Sequence, residues 1–284
     1  MTMPAVNRQP DQGVVLVTIL IIMALCVTVI VAMTTRSEQA TRATARDRDA
    51  AQAQALLAAG EASALSALIL DLQNPPEADG PSEPWAQVAQ TDTAIGGGRF
   101  RLVIRDEAGR FNLNTLAEGS PWARAALRSI VAAAGLPPEV AVRIAAALNG
   151  GAPLLQNQDL VSRAGLSQSE ISALEPFMTC TPDLNGGVNV NTAPEALLLA
   201  LLQNADVTAR LIERRKTDLI TSVVLTDLGI ILPAGLTLKS AVFGIRITIS
   251  SGDAQITADS LIHRWRDPDG SAHAVVAARR LIAP

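Results

Sequence analysis

The sequence predicts an α+β fold in which a long N-terminal transmembrane helix packs on an antiparallel sheet, with a large all-α insertion in the globular part. Three observations support this prediction. An uncharged apolar run near the N-terminus leads directly into a stretch of helix-forming residues without proline. Alternating apolar residues near positions 100 and 245 indicate strands. Between these two positions lies a long segment with the apolar spacing of helices.

The composition indicates a folded protein whose partners are proteins rather than polyanions. The chain has 284 residues, of which 49% are hydrophobic, so it can bury a sizeable core. Its formal net charge is −4, which provides no global positive field for nucleic acid or anionic lipid. The two cysteines, Cys26 in the apolar run and Cys180 far downstream, are not expected to form a disulfide with each other.

The apolar run covers residues 14–33 and follows a more polar segment of thirteen residues, MTMPAVNRQPDQG, that ends in glycine. At about 1.5 Å per residue the run spans roughly 30 Å as a helix, which matches the hydrocarbon thickness of a bilayer. Three interpretations fit such a segment: a cleaved secretory signal peptide, an uncleaved signal anchor, and a leader that is cut after the glycine while the helix is retained. A signal peptide would have a shorter apolar region followed by a cleavage site with small residues.

Residues 37–74 continue the helix beyond the membrane. They are rich in Ala, Leu, Gln, Glu and Arg, and they contain no proline and a single glycine, Gly60. The second part of this stretch carries an apolar stripe that includes Leu57, Ala64 and Leu68. An unbroken helix from residue 14 to residue 74 would be roughly 90 Å long. A membrane helix that runs straight into a domain favours the retained-helix interpretation.

The segment RQPDQG followed by VVLVT resembles the type IV prepilin cleavage motif. The resemblance implies cleavage between Gly13 and Val14 and N-methylation of Val14. Most pilin-like proteins have a glutamate at the fifth mature position, where its carboxylate can pair with the N-terminal amine of a neighbouring subunit. In this sequence that position is Thr18, a departure that is typical of the general secretion pathway protein K family of minor pseudopilins.

The globular part begins with a region rich in proline, glycine and acidic residues at positions 74–98. Residues 99–114, RFRLVIRDEAGRFNLN, are predicted to form two strands or a hairpin. Three strands are predicted after residue 239, with turns at 251–253 and 267–270, and they are expected to pair with the strands near 99–114.

A diffuse internal repeat lies between these strands. Residues 112–115, Asn-Leu-Asn-Thr, match residues 189–192, Asn-Val-Asn-Thr, and a Leu/Ala-rich helix follows each. The repeat predicts two related helix-hairpin-helix-like units. The Asn and Thr side chains are expected to cap the helices that follow, with a ligand-binding role as the alternative.

The resemblance to the protein K family extends along nearly the whole chain, because both a D-x-x-x-R-F-N-L-N segment (106–114) and a V-N-V-N-T-A segment (188–193) are present. It implies a pilin-like fold and a single-pass protein of the bacterial inner membrane whose C-terminal domain lies in the periplasm. Its implied partners are the other minor pseudopilins of a tip complex, a prepilin peptidase, the inner-membrane assembly platform and the lipid bilayer. The implied role is to cap the pseudopilus tip of a type II secretion system and to start its assembly. The expected domains are a prepilin leader (1–13), a transmembrane helix (14–33), its periplasmic continuation (34–74), the first part of the α+β domain (75–114), a helical insertion (115–238) and the C-terminal strands (239–284).

The sequence assigns no cofactor, metal site or catalytic site. Calcium is associated with the family, and Asp183 and Asn185 offer oxygen ligands before the second Asn-rich segment. The two histidines, His263 and His273, have no metal-ligand partner at a suitable spacing, and the chain contains no nucleophile elbow or phosphate-binding glycine loop. We therefore predict a protein that is not an enzyme.

A membrane-anchored DNA-binding or DNA-uptake protein is the alternative, because helix-hairpin-helix units often contact phosphates. Arg210, Arg214, Arg215 and Lys216 form the basic cluster that such a role would need. The candidate turns, AGLPPE and LQNADV, lack the Gly-hydrophobic-Gly pattern that brings backbone amides to a phosphate. Nucleic acid is therefore not an expected partner.

Overall fold

The structure is a computed structural model that describes residues 12–73, 76–95, 98–181, 186–252 and 254–282, without the side chains of 12–14 and 90–92. Residues 1–11 of the predicted leader (1–13) therefore lie outside the described residues. The described helices are α1 (Gln12–Gln73), α2 (Pro84–Gln87), α3 (Pro121–Ala133), α4 (Glu139–Leu148), α5 (Asp159–Ala164), α6 (Gln168–Leu174), α7 (Glu195–Leu202), α8 (Ala205–Arg215) and α9 (Ser222–Asp227). The described strands are β1 (Gln90–Ile95), β2 (Gly98–Asp106), β3 (Phe111–Asn112), β4 (Met178–Thr179), β5 (Val188–Asn189), β6 (Leu236–Thr237), β7 (Val242–Ser251), β8 (Ala254–Arg266) and β9 (Ala272–Ile282).

Helix α1 is the long element that the composition predicts, with 62 residues in one uninterrupted helix. Every side chain from Val15 to Arg48 is exposed, and burial begins only at Asp49. Beyond that point the helix buries a stripe that lies against the sheet and includes Ala53, Leu57, Ala64 and Leu68. The first half of α1 therefore projects from the globular part, whereas the second half is part of its core.

Gly60 allows α1 to lie close to the sheet. A Cβ atom at this position would be 2.8 Å from Cζ of Phe100 and 3.0 Å from Cδ1 of Ile247. A side chain would push the helix away from both residues, so the single glycine of this stretch is explained by packing.

The main sheet has five strands in the order β1-β2-β7-β8-β9, and all neighbouring pairs are antiparallel. Strands β2 and β7 pair along their whole length, from Gly98 opposite Ser251 to Asp106 opposite Phe243. The predicted pairing of the C-terminal strands with the segment near residue 100 is thus confirmed. The chain leaves the sheet at the end of β2 and returns at the start of β7, so the two ends of the helical segment lie side by side.

Residues 99–114 form two strands and not a hairpin, so the first of the two predicted alternatives is correct. After β2 the carboxylate of Asp106 accepts a hydrogen bond from the backbone of Ala108 (2.8 Å) and caps a short 3₁₀ turn at Glu107–Gly109. Strand β3 then pairs in parallel with β4, not with β2. The cause is tertiary packing, because Phe111 is 1% exposed and lies 5.7 Å from the ring of Trp122 in the helical core.

The helical segment has its own apolar core, which is distinct from the core between α1 and the sheet. Its two halves repeat one arrangement, in which a two-residue parallel bridge is followed by helices: β3 pairs with β4, and β5 pairs with β6. Helices α3 and α7, one from each half, pack against each other. The structure therefore bears out the internal repeat that the Asn-rich segments indicate.

We expect the substitution Leu68→Ala to destabilise the protein by about 2–5 kcal/mol, because Leu68 is completely buried between α1 and the sheet. Its matched control is Leu70→Ala, two residues further along the same helix, where the side chain is 63% exposed and the change should be within about 0.5 kcal/mol. Thermal unfolding of the full chain in detergent, followed by circular dichroism, measures both effects. Equal losses of stability in the two variants would show that α1 does not pack on the sheet in this register.

Candidate functional site

Two features of the structure are candidates for function: the exposed apolar half of α1, and a polar junction that connects α1, the sheet and the helical segment. By length and composition, α1 is the one helix of the described residues that qualifies to span a membrane. Thr18 lies in this exposed half. The backbone of Gly13 and Val14 lies in the first turn of α1, and their side chains are outside the described ones. The chain thus has a single membrane anchor within its described part.

The junction is built around Arg264, which projects from β8 toward α1 and is 2% exposed. Its guanidinium group donates hydrogen bonds to the carboxylates of Asp71 in α1 and Asp79 in the segment that follows α1. Its Nε atom donates to the backbone oxygen of Ser240 (3.2 Å), and the guanidinium carbon lies 4.5 Å from the ring centroid of Phe243. One side chain therefore fixes the end of α1 against the sheet.

The carboxylate of Asp106 extends this network into the helical segment. Its Oδ2 atom accepts hydrogen bonds from Thr192 Oγ1 (2.5 Å), Ser240 Oγ (2.6 Å) and Asn189 Nδ2 (3.0 Å). Asp79 Oδ2 accepts a hydrogen bond from the backbone amide of Ser240 (2.5 Å), which joins the two carboxylates through one residue. Burial raises the pKa of Asp106 above its ordinary value, although these hydrogen bonds stabilise the ionised form.

The structure corrects the predicted role of the second Asn-rich segment. Asn189 and Thr192 do not cap helix α7, whose first flanking residue is Pro194 and which has no side-chain cap. Both donate hydrogen bonds to Asp106, more than 80 residues earlier in the chain. Oδ1 of Asn189 also accepts a hydrogen bond from the amide of Asn191 (2.9 Å), so it satisfies a backbone donor at the turn as predicted. The prediction is correct for Asn112, whose side chain accepts a hydrogen bond from the amide of Asn114 at the start of the 3₁₀ turn Leu113–Glu118.

The second asparagine of each repeat forms a clamp on a distant backbone segment. Asn114 accepts a hydrogen bond from the amide of Leu154 (2.7 Å) and donates to its carbonyl oxygen (3.0 Å). Asn191 makes the same pair of hydrogen bonds with Ile220, at 2.8 and 3.0 Å. Both asparagine side chains are 1% exposed. They are therefore engaged in holding the helical segment together, which favours the scaffold interpretation over ligand binding.

A group of three carboxylates, from Asp71, Asp79 and Glu83, has oxygen atoms within 4.8 Å of one another. The group does not fit a calcium ion, because Arg264 already neutralises two of its members. Glu83 accepts hydrogen bonds from the amide of Gly80 (2.7 Å) and from Trp85 Nε1 (2.9 Å). Burial raises the pKa of Asp71 and Glu83. Asp183 and Asn185, which offer oxygen ligands in the sequence, lie outside the described residues.

The basic cluster predicted on α8 is committed to contacts within the helical segment. Arg215 donates to the carbonyl oxygens of Val190 (2.9 Å) and Ala193 (2.7 Å), and Arg210 donates to that of Leu228 (3.0 Å). Arg214 pairs with Asp218 and Lys216 with Glu213. His263 and His273 stack against Trp265, with ring centroids 5.5 and 5.3 Å from that of the indole.

A membrane-anchored helix that continues beneath an antiparallel sheet is the architecture of a pilin-like protein, and this is the class that the fold defines.

No family model matches the chain. A relative among curated proteins is the type II secretion system protein K of Pseudomonas aeruginosa, which is 28% identical in an alignment of 232 residues that covers 69% of this chain and 69% of the relative. Among solved structures, a chain of the GspK-GspI-GspJ complex from the type 2 secretion system of enterotoxigenic Escherichia coli matches with a TM-score of 0.66 and 20% identity, over 85% of this chain and 99% of that chain. The structural match shows the shared fold. Together the two comparisons confirm the resemblance to protein K minor pseudopilins of type II secretion.

We expect Asn191→Ala to lower the free energy of unfolding by about 2–4 kcal/mol, since it leaves two buried backbone groups of Ile220 without a partner. Asn149→Ala is the control, because Asn149 is exposed and none of its described contacts holds a distant segment. Its effect should stay within about 0.5 kcal/mol. Urea unfolding followed by tryptophan fluorescence tests the pair, and a neutral result for Asn191→Ala would contradict the clamp.

Proposed function

We propose that this chain is the minor pseudopilin that caps the pseudopilus tip of a type II secretion system and starts its assembly in the inner membrane, with the globular part in the periplasm. It acts as a structural subunit rather than as an enzyme. Its partners are two smaller minor pseudopilins, by analogy with the GspK-GspI-GspJ complex to which its fold is similar. A prepilin peptidase and the assembly platform of the inner membrane complete the set of expected partners.

The observation that carries this proposal is the position of the helical segment relative to the membrane helix. The turn between β7 and β8 lies near the lower part of α1, because a Cβ atom on Gly252 would be 2.0 Å from Oδ2 of Asp49. At the opposite end of the sheet, Arg264 pairs with Asp71, which is 22 residues after Asp49 in α1. The helical segment begins and ends at that distal side, after Asp106 and before Val242. A bulky segment whose two ends lie at that side would hinder the addition of a further subunit there.

The exposed half of α1 supports the same proposal. Its apolar residues from Val15 to Met33 have no partner within the globular part, and they suit a bilayer and the helices of neighbouring subunits. Thr18 stands where a glutamate would pair with the amine of the subunit above. A subunit without this carboxylate cannot make that pair. The topmost subunit of a filament does not need it, because no subunit lies above.

Co-expression of the full chain with a prepilin peptidase should yield a mature protein that begins at Val14. Mass spectrometry of the N-terminal peptide identifies the cut and any methyl group on Val14. The variant Gly13→Val should stay unprocessed if the glycine directs cleavage. A mature chain that begins at Met1, or one that begins beyond Thr34 and so lacks the membrane helix, would refute the assignment.

The variant Thr18→Glu should raise the number of copies of this chain per pseudopilus, because it restores a carboxylate that can pair with a neighbouring N-terminal amine. Thr18→Gln, which has a similar size and no charge, is the matched control and should behave as the natural chain does. Quantitative mass spectrometry of purified pseudopili gives the ratio of this chain to the major subunit. A natural chain that forms filaments on its own would argue against a tip position.

A further inference from the structure

Three arginines form a row on the face of β2 that points away from α1. Because successive side chains of a strand point to opposite faces, Arg99, Arg101 and Arg105 share one face. All three are exposed. The side chains that alternate with them face α1 and belong to the buried core: Phe100, Leu102 and Ile104. We call Arg99, Arg101 and Arg105 the arginine row.

The arginine row has no ion pair or side-chain hydrogen bond with any described residue. Other arginines of the same sheet face do have partners, since Arg246 and Arg280 both bind Asp259. Glu107 is a carboxylate close to one end of the row, because its side chain lies against Gly244, which is opposite Arg105. Glu107 is itself paired with Arg110 and accepts a hydrogen bond from Thr179. Within the described part of the chain, no carboxylate therefore forms an ion pair with an arginine of the row.

The composition of the chain does not explain this concentration of charge. The protein has a formal net charge of −4, and the arginine side chains at Arg110, Arg143, Arg215 and Arg264 are all engaged in contacts within the fold. The residues opposite two of the arginines are polar, because Thr248 lies opposite Arg101 and Ser250 opposite Arg99, and Val103 is the apolar residue between Arg101 and Arg105 on this face. An apolar partner or the interior of a membrane would find little complementary surface here, whereas carboxylates can form bidentate hydrogen bonds with each guanidinium group.

We propose that the arginine row is a docking surface for an acidic protein that meets the pseudopilus from outside. The choice of an acidic protein over nucleic acid rests on the proposed function, which places this face in the periplasm. The opposite face of the sheet is covered by α1, the element along which neighbouring subunits pack, so the arginine row points away from the filament axis. A partner that binds the row is thus not one of the subunits bundled with α1.

The spacing of the row fits an acidic helix. Side chains two residues apart on a strand repeat at about 6.6–6.8 Å. Glutamates four residues apart on a helix repeat at about 6 Å. A helix with such a stripe of carboxylates, laid along β2, can place two of them against Arg99 and Arg101 together.

The test uses the full chain in nanodiscs of zwitterionic lipid and a fluorescent helical peptide with glutamates at every fourth position. Fluorescence anisotropy at about 50 mM salt should detect binding, which should weaken at higher salt as expected for exposed charges. A peptide with glutamine in place of glutamate should not bind. The double variant Arg99→Glu, Arg101→Glu should weaken binding at least about fivefold, since it replaces two attractive contacts with repulsion.

The control is the double variant Arg124→Glu, Arg128→Glu, which makes the same change of charge on the exposed face of α3. Its affinity for the glutamate peptide should stay within about twofold of the natural chain, the change expected from net charge alone. Equal losses in both variants, or tighter binding of single-stranded DNA than of the peptide at the row, would overturn the proposal of a protein site. Both sets of variants should still co-purify with the two smaller pseudopilins. If only the Arg99, Arg101 variant fails to co-purify, the row belongs to the interface of the tip complex, and the proposal of a partner outside the pseudopilus is overturned. If the natural chain itself fails to co-purify, the result counts against the proposed function instead.

Discussion

The buried charge of Arg264 is the constraint on which the rest of the structure depends. A guanidinium group that is 2% exposed must be paired, and its partners come from two different elements, Asp71 in α1 and Asp79 in the segment after it. Removing one partner of a buried pair typically costs about 3–5 kcal/mol, so any shift of α1 relative to β8 is strongly opposed. The end of a helix that begins in the membrane is thereby fixed to the sheet with little freedom to rotate.

This constraint is transmitted to the helical segment through a short chain of hydrogen bonds. The carboxylate of Asp79 accepts a hydrogen bond from the amide of Ser240, and the hydroxyl of Ser240 donates one to Asp106. Asp106 also accepts hydrogen bonds from the side chains of Asn189 and Thr192. Leaving one of these buried groups without a hydrogen bond costs more free energy than forming the bond gains. The network therefore favours the arrangement in which all of these hydrogen bonds are present over any in which some are missing. The orientation of the membrane helix therefore determines where the bulk of the helical segment lies.

Much of the fold was predictable because it is periodic. The long helix, β2 and the three C-terminal strands follow from apolar spacing, and the internal repeat follows from the two Asn-rich segments. Strand β1 was not predicted, because the sequence QTDTAI has almost no apolar alternation, as is common at a sheet edge. The junction was not predicted either, since its hydrogen bonds join residues up to 193 positions apart. One signal was available in β8: Arg264 continues the alternation of Ala258, Ser260 and Ile262, which all face α1, and an arginine in that series implies a buried carboxylate partner.

Two groups of arginines in this protein thus have opposite physical meaning. Arg264 and Arg279 are paired across elements, the latter with Glu61 of α1, and these pairs maintain the fold. The arginine row does not contribute to the fold in this way. Two positive charges about 7 Å apart repel each other by about 0.6 kcal/mol in water before screening by salt, so the row slightly weakens the isolated protein. A neutral or mixed surface would avoid that cost, and a partner whose carboxylates bind the row is the interaction that offsets it.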